Sequence, residues 1–339
     1  MTAIRDSKVF AIFVLVLVLI VVWYVGAVLL NWGVVTDRFS RDGATHSLTD
    51  IVLTTLSYTR PVLPAPHQVA VDLWNTTLTL APSNKRSLLY HAWITLSATL
   101  LGFVMGTVLG VVLALFIVLN QAASRSLMPW IIASQTVPIL AVAPVIVVLT
   151  YNVLTGQNAV AQLLHLDADA AQLISKAVIA TYLSFFPVVV GMVKGLRSPE
   201  TIQLDLMRTY NATTTQTVWL LRWPTAVPFL FASMKVAVAA SLVGAIVAEL
   251  PTGAVSGLGA RLLIGSYNGQ MVQIWSVLLL SAILAGLLVL AVGIVHVRTL
   301  ERSLMPWIIA SQTIPILAIA PMIIVVLAAV GIVGLVPKA

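Results

Sequence analysis

Asp205-Leu206-Met207-Arg208-Thr209-Tyr210-Asn211, followed ten residues on by Leu221-Arg222-Trp223-Pro224, is the one long polar interruption among apolar runs. Just ahead of it, Ser198-Pro199-Glu200 has the form of a helix start: a serine N-cap, a proline at the first helical position and an acid in the first turn. Ile202, Leu206 and Tyr210 then recur at i, i+4 and i+8 and give that helix an apolar stripe. Asn211 is placed to end it, because asparagine tolerates the left-handed conformation that closes a helix. Thr213-x-x-Gln216 has the form of a capping box and starts a second helix with Val218, Leu221 and Trp223 on its apolar side. Pro224 is expected to stop it. The stretch therefore reads as two short helices broken at Asn211. Such an amphipathic elbow suits a membrane protein that takes up force from something outside the membrane.

The surroundings of the elbow fix the class. The chain has 339 residues, of which 60% are hydrophobic and 9% charged, and its mean hydropathy is +1.05. Soluble domains carry about 25% charge. Apolar runs of about 20 residues, enough to cross about 30 Å of hydrocarbon, recur along the whole length. The expected fold class is all-α, a polytopic membrane protein. The net charge of +7 comes from basic residues scattered at helix ends, where they set topology and meet anionic lipid, so no nucleic-acid partner is implied. The absence of cysteine excludes disulfides and thiolate metal sites. The five histidines (His46, His67, His91, His165 and His296) lie far apart, so no metal site is expected.

Seven candidate spans follow: 9–30, 89–119, 127–150, 177–195, 226–248, 273–296 and 307–330. The first follows Arg5 and Lys8 like a signal peptide, but it is too long for one and no small-residue cleavage site follows promptly, so it reads as a retained helix. Segment 31–88 is polar and carries Pro61, Pro64, Pro66 and Pro82, with a short amphipathic helix expected over Pro66 to Leu73. The short loops at 120–126, 196–225 and 297–306 carry Arg125, Arg197, Arg208, Arg222, Arg298 and Arg302. Those at 151–176 and 249–272 carry only Lys176 and Arg261. The asymmetry puts the first set and the N-terminus in the cytoplasm. The expected divisions are 1–35, an N-terminal helix; 36–87, a periplasmic segment; 88–301, the transmembrane domain; and 302–339.

Several residues inside or beside the spans admit two readings. Gly102, Gly106 and Gly110 share one helix face and allow close backbone approach, which is ordinary helix packing. Ser134, Gln135 and Thr136 beside Pro138 form a polar cluster within an apolar span, and either line a pathway or make interhelical hydrogen bonds. Lys235 either attracts an anion or snorkels to the interface. Glu249, at the outer end of the fifth span, either gates the path or caps a helix.

The elbow's spacing resembles the EAA loop of ABC importer permeases, whose pattern is Glu-Ala-Ala-x3-Gly-x9-Ile-x-Leu-Pro. Asp205, Asn211, Leu221, Trp223 and Pro224 hold its charged, left-handed, apolar and proline positions, while Leu206 and Met207 depart from the paired alanines. The downstream runs Leu242-Val243-Gly244-Ala245-Ile246-Val247-Ala248-Glu249 and Ser256-Gly257-Leu258-Gly259 are also similar to this family. The resemblance covers about residues 60–300 and is nearest the nitrate/sulfonate/taurine branch, which includes pyrimidine-precursor and riboflavin permeases. It implies a six-helix permease core (MetI-like) plus one extra C-terminal helix. The path would be formed with a second permease copy, identical or sister. Partners would be a cytoplasmic ABC ATPase dimer, an extracytoplasmic substrate-binding protein and the lipid bilayer of a bacterial inner membrane. Asp205, Leu206, Met207, Arg208, Asn211, Leu221 and Pro224 would contact the ATPase, with Asp205 paired to one of its basic residues. The resemblance implies no catalytic residue and no cofactor on this chain. ATP and Mg would sit on the ATPase, and the chain carries no G-x-x-x-x-G-K-[ST] of its own. The rival reading is a secondary, ion-coupled transporter, which calls for mid-bilayer carboxylates and inverted repeats.

Residues 125–149 and 302–326 are near copies offset by 177 residues, differing at five of 25 positions by apolar swaps. Such identity is too high for an ancient structural repeat. Residues 302–339 therefore read as a recent duplication or a truncated fusion, the start of a second permease unit cut off before its own elbow. A third reading is an insert that changes places with the original third span.

Overall fold

A computed structural model describes residues 8–42, 47–156, 161–162, 165–250 and 256–295. Every regular element among them is helical: α1 (Lys8–Asp42), α2 (Leu48–Ser57), α3 (Pro66–Thr77), α4 (Leu88–Leu119), α5 (Gln121–Ser134), α6 (Ile139–Thr155), α7 (Ala168–Leu196), α8 (Thr201–Thr209), α9 (Thr214–Glu249), α10 (Leu258–Tyr267) and α11 (Met271–Val295). Of these, α1, α4, α7, α9 and α11 are long and apolar enough to cross a membrane, and α5 with α6 makes a further candidate bent by 102°. The expected seventh span and the duplicated segment lie outside the described residues.

The chain divides into two compact units. Among the described residues, one holds 8–90 and 261–280, the other 91–260 and 281–295. In the first, α1 runs on past the expected end at residue 30 because Asn31 finds partners. Its buried amide donates to the Leu63 carbonyl (2.8 Å) and accepts from the Val62 N–H (2.7 Å). Trp23 Nε1 donates to the Pro64 carbonyl (3.0 Å), and its ring packs 4.8 Å from that of Trp275. The proline-rich segment is thereby tied down, and α3 starts at Pro66 as its sequence suggests, with Gln68 Oε1 accepting from the Ala65 N–H (3.0 Å).

The second unit is built on glycine-mediated packing of α4, α7 and α9. A Cβ at Gly102 would lie 2.9 Å from the Ala177 carbonyl, and one at Gly110 2.7 Å from Val188 Cβ, so the glycine face of α4 is where α7 docks. Gly195 of α7 does the same for α9, with Ala226 Cα 2.9 Å away. Across these close approaches Ser184 donates to the Gly102 carbonyl (3.2 Å) and Ser241 to that of Thr99 (2.7 Å). Small residues replace a hydrophobic driving force that lipid does not supply. Ile117, Val188, Met192, Leu196 and Val238 fill the remaining core.

Side-chain contacts fix the directions of these helices. His91 and Thr95 near the start of α4, Lys176 near the start of α7 and the last residue of α9, Glu249, belong to one cluster. At the other end, Arg197 after α7 donates to Ser124 Oγ of α5 (2.8 Å). So α4 and α7 run parallel and α9 runs against them. A chain leaving the end of α4 must therefore traverse the unit once before α7 begins. The bent pair α5–α6 is that traverse: a broken span rather than a loop returning to its own side.

The third span, expected at 127–150 with a proline kink, is instead two helices separated by a break. Pro138 lacks the N–H that would bond the Ser134 carbonyl and serves instead as N-cap of α6, in extended conformation (φ −68°, ψ 99°). The chain turns through Gln135 and Thr136 before resuming.

Candidate functional site

The elbow lies at the Arg197 end. Its first helix begins later than its sequence suggests. Ser198 Oγ donates backward to the Gly195 carbonyl (2.7 Å), so this serine completes α7, and Glu200 is the N-cap of α8. Gln203 Oε1 accepts the Glu200 N–H (3.1 Å) in its place. The C-terminus is as expected. Asn211 has φ +53°, and the Ala212 and Asn211 N–H groups donate to the carbonyls of Met207 and Arg208 (2.9 Å each), a Schellman closure. Thr213 and Gln216 then form the expected capping box, with Gln216 Oε1 accepting the Thr213 N–H (2.8 Å).

The second elbow helix is not separate. Pro224 does not stop it, and the helix from Thr214 continues to Glu249. The chain passes through a π-helical turn at Val218–Arg222, where the Trp223 N–H reaches back five residues to the Val218 carbonyl. The wider turn precedes a proline that cannot donate, and Pro224 enters the next turn without breaking the rod. Arg222 donates to the Leu196 carbonyl (3.2 Å) and fastens this turn to α7.

The elbow's apolar stripe is bare. Ile202, Leu206 and Tyr210 are 71%, 54% and 76% exposed. Met207 and Leu221 are half-buried, and Pro224 is exposed. Asp205 and Arg208 pair at 2.9 Å with both side chains largely in solvent, so the pair holds little energy and either member can exchange partners.

The polar cluster at the α5–α6 break lies beside the middle of α7. The Tyr182 hydroxyl donates to the Ser134 carbonyl that Pro138 leaves without a helical donor. Ser134 and Thr136 turn their hydroxyls onto carbonyls of their own helix, Ile131 and Ala133 (2.7 Å each). Gln135, Thr136 and Pro138 are exposed, Gln135 with its amide only 3.4 Å from Ser134 Oγ. The break thus presents one loosely held amide and an exposed backbone corner beside α7's midpoint.

Glu249 is elsewhere, at the far end of α9 and 0% exposed. Its carboxylate accepts from Thr95 Oγ1 (2.9 Å) and the Gly259 N–H (2.9 Å), and lies 3.5 Å from Lys176 Nζ. Glu249 is a site candidate from the sequence, whereas Lys176 and His91 enter there only as a loop charge and a scattered histidine, and Thr95 and Tyr182 not at all. A signal for Lys176 existed: it and Glu249 are opposite charges at span ends on the same expected side. Nothing marked the other three. Among the described residues no three metal-ligating side chains gather.

A chain of membrane-spanning helices with a capped, exposed elbow at one end has the architecture of a transport component. Residues 106–298 match the family described as "Binding-protein-dependent transport system inner membrane component", and the chain belongs to that family. It is 29% identical over 249 residues (73% of this chain, 86% of the relative) to the formylaminopyrimidine transport permease protein ThiX of Halalkalibacterium halodurans. It is 30% identical over 255 residues (75% and 84%) to the riboflavin transport system permease protein RibX of Chloroflexus aurantiacus. A probable ABC transporter permease protein of Haemophilus influenzae is 25% identical over 230 residues (68% and 82%). The chain is an ABC importer permease, a multi-pass membrane subunit and not an enzyme.

Proposed function

We propose that this permease couples to a cytoplasmic ABC ATPase dimer through residues 198–224, with Asp205, Leu206, Met207, Arg208, Asn211, Leu221 and Pro224 at the contact. The observation that carries the reading is the bare stripe Ile202, Leu206 and Tyr210 on a helix closed at both ends by its own caps. A helix so defined, yet without an apolar partner in its own chain, suits a cleft on another protein. Charge supports the sidedness: Arg125, Lys194, Arg197, Arg208 and Arg222 all belong to the elbow's end, which would be cytoplasmic along with the N-terminus, in a bacterial inner membrane.

Two copies, or this chain and a sister permease, would enclose the path, fed by an extracytoplasmic substrate-binding protein. Ser134, Gln135, Thr136 and Pro138 would line it at mid-depth, where interrupted helices expose backbone and polar groups to a solute. Among the solutes open to this branch (nitrate, sulfonate or taurine, a pyrimidine or riboflavin-type vitamin precursor), the names of two relatives favour the heteroaromatic precursor. The test is co-purification from membranes with a co-expressed candidate ATPase, wild type against Asp205→Arg at matched membrane levels. Retention by the wild type and loss by the variant supports coupling through the elbow. Retention by both places the contact elsewhere.

A further inference from the structure

The Glu249 cluster fixes four consecutive backbone positions to three different helices. Lys176 Nζ of α7 donates to the Ser256 carbonyl (3.2 Å). The Gly257 N–H donates to His91 Nδ1 of α4 (2.9 Å), and the Leu258 N–H to Thr95 Oγ1 (2.9 Å). The Gly259 N–H donates to Glu249 Oε2 of α9 (2.9 Å). Both glycines are required. Gly257 has φ +128° and a Cβ there would strike the Glu249 carboxylate, while one at Gly259 would lie 2.8 Å from Glu249 Cβ.

We propose that Lys176 and Glu249 are positioning residues that hold Ser256–Gly259 shut against the ends of α4, α7 and α9, forming a latch at the end of the permease opposite the elbow. The argument rests on what each partner touches. Every bond to the segment goes to its backbone, so what is held is a chain position. A buried ion pair is also a poor way to gain stability, since apolar residues of similar size often serve as well, but it has one good geometry and loses it abruptly when the helices carrying its members shift. Here the two members sit on helices that run in opposite directions. Sliding of α9 along α7 parts Glu249 from Lys176 and takes the Gly259 bond with it, while the Ser256 bond stays with α7. The segment cannot follow both, so relative motion of these helices opens it. That the latch guards a solute path rests on the permease reading above; that the pair holds the segment does not.

The chain has no cysteine, so Ser256→Cys supplies a single thiol. In membrane vesicles of the full chain, labelling by a membrane-impermeant maleimide is expected to be slow in this parent and at least tenfold faster when Lys176→Met or Glu249→Gln is added. The double variant Lys176→Met/Glu249→Gln leaves no unpaired buried charge. It is expected to recover membrane levels while its labelling stays fast, which separates holding the segment from merely folding the helices. Labelling within twofold of the parent in the double variant, at parental membrane level, overturns the proposal. The assay needs no ATPase, so it is decided independently of coupling through the elbow.

Discussion

The Tyr182 hydroxyl of α7 donates to the Ser134 carbonyl at the break between α5 and α6. Pro138, four residues on, has no N–H to offer that carbonyl, so a side chain from the neighbouring helix replaces the missing backbone donor. The break is stable because α7 completes it. Tyr182→Phe removes the hydroxyl and keeps the ring that packs 6.0 Å from Phe185. Interhelical hydrogen bonds in membranes are worth about 0.6 kcal/mol, up to about 1.7. The variant should therefore reach the membrane at near-normal levels while solute uptake falls several-fold. Unchanged uptake would show that the bond does not govern the shape of the path.

Replacing Gly102 by valine should cost about 1–3 kcal/mol, because the new Cβ meets backbone atoms of α7 that cannot move without moving the helix. Gly286→Val is the matched control, since nothing lies within 4 Å of a Cβ there. Thermal unfolding in detergent should show a lower Tm for the first and little change for the second.

At Asn211 the expectation depends on which residue enters. Glycine accepts a φ of +53° freely and should preserve the elbow. Valine should cost about 1–2 kcal/mol in that conformation and release the Schellman closure. The amount of ATPase retained on co-purification should stay level for Asn211→Gly and drop at least twofold for Asn211→Val.

Deleting 303–339 should leave ATPase association and solute uptake unchanged, because most of the segment, up to residue 326, copies residues already present earlier in the chain and lies outside the elbow. Loss of uptake at normal membrane levels would mean that the copy has acquired a place in the path.

Local chemistry made much of this legible in advance. The Asn211 closure, the Thr213 capping box, the start of α3 at Pro66 and the packing face of Gly102, Gly106 and Gly110 each follow from residues within a turn or two of one another. The errors arose where a distant partner decided. Ser198 is a good cap in isolation, yet its hydroxyl went to the helix it follows. Pro224 reads as a stop, but a π-helical turn before it let the backbone pass. Pro138 reads as a kink, and the chain turned by 102° because Tyr182 was there to take the freed carbonyl. The Glu249 cluster drew its members from sequence positions 91 to 259, and no local pattern announces such a meeting.

Because α9 is continuous, the elbow and Glu249 share one rod of 36 residues. At 1.5 Å per residue it is roughly 54 Å long, more than the full thickness of a bilayer. It has no loop along its length to absorb a displacement, and at Arg222 it is fastened to α7. If the elbow receives a stroke as proposed, a displacement at Thr214 would reach Glu249 as the opposite arm of a lever, and grip at one end and release at the other would keep time mechanically.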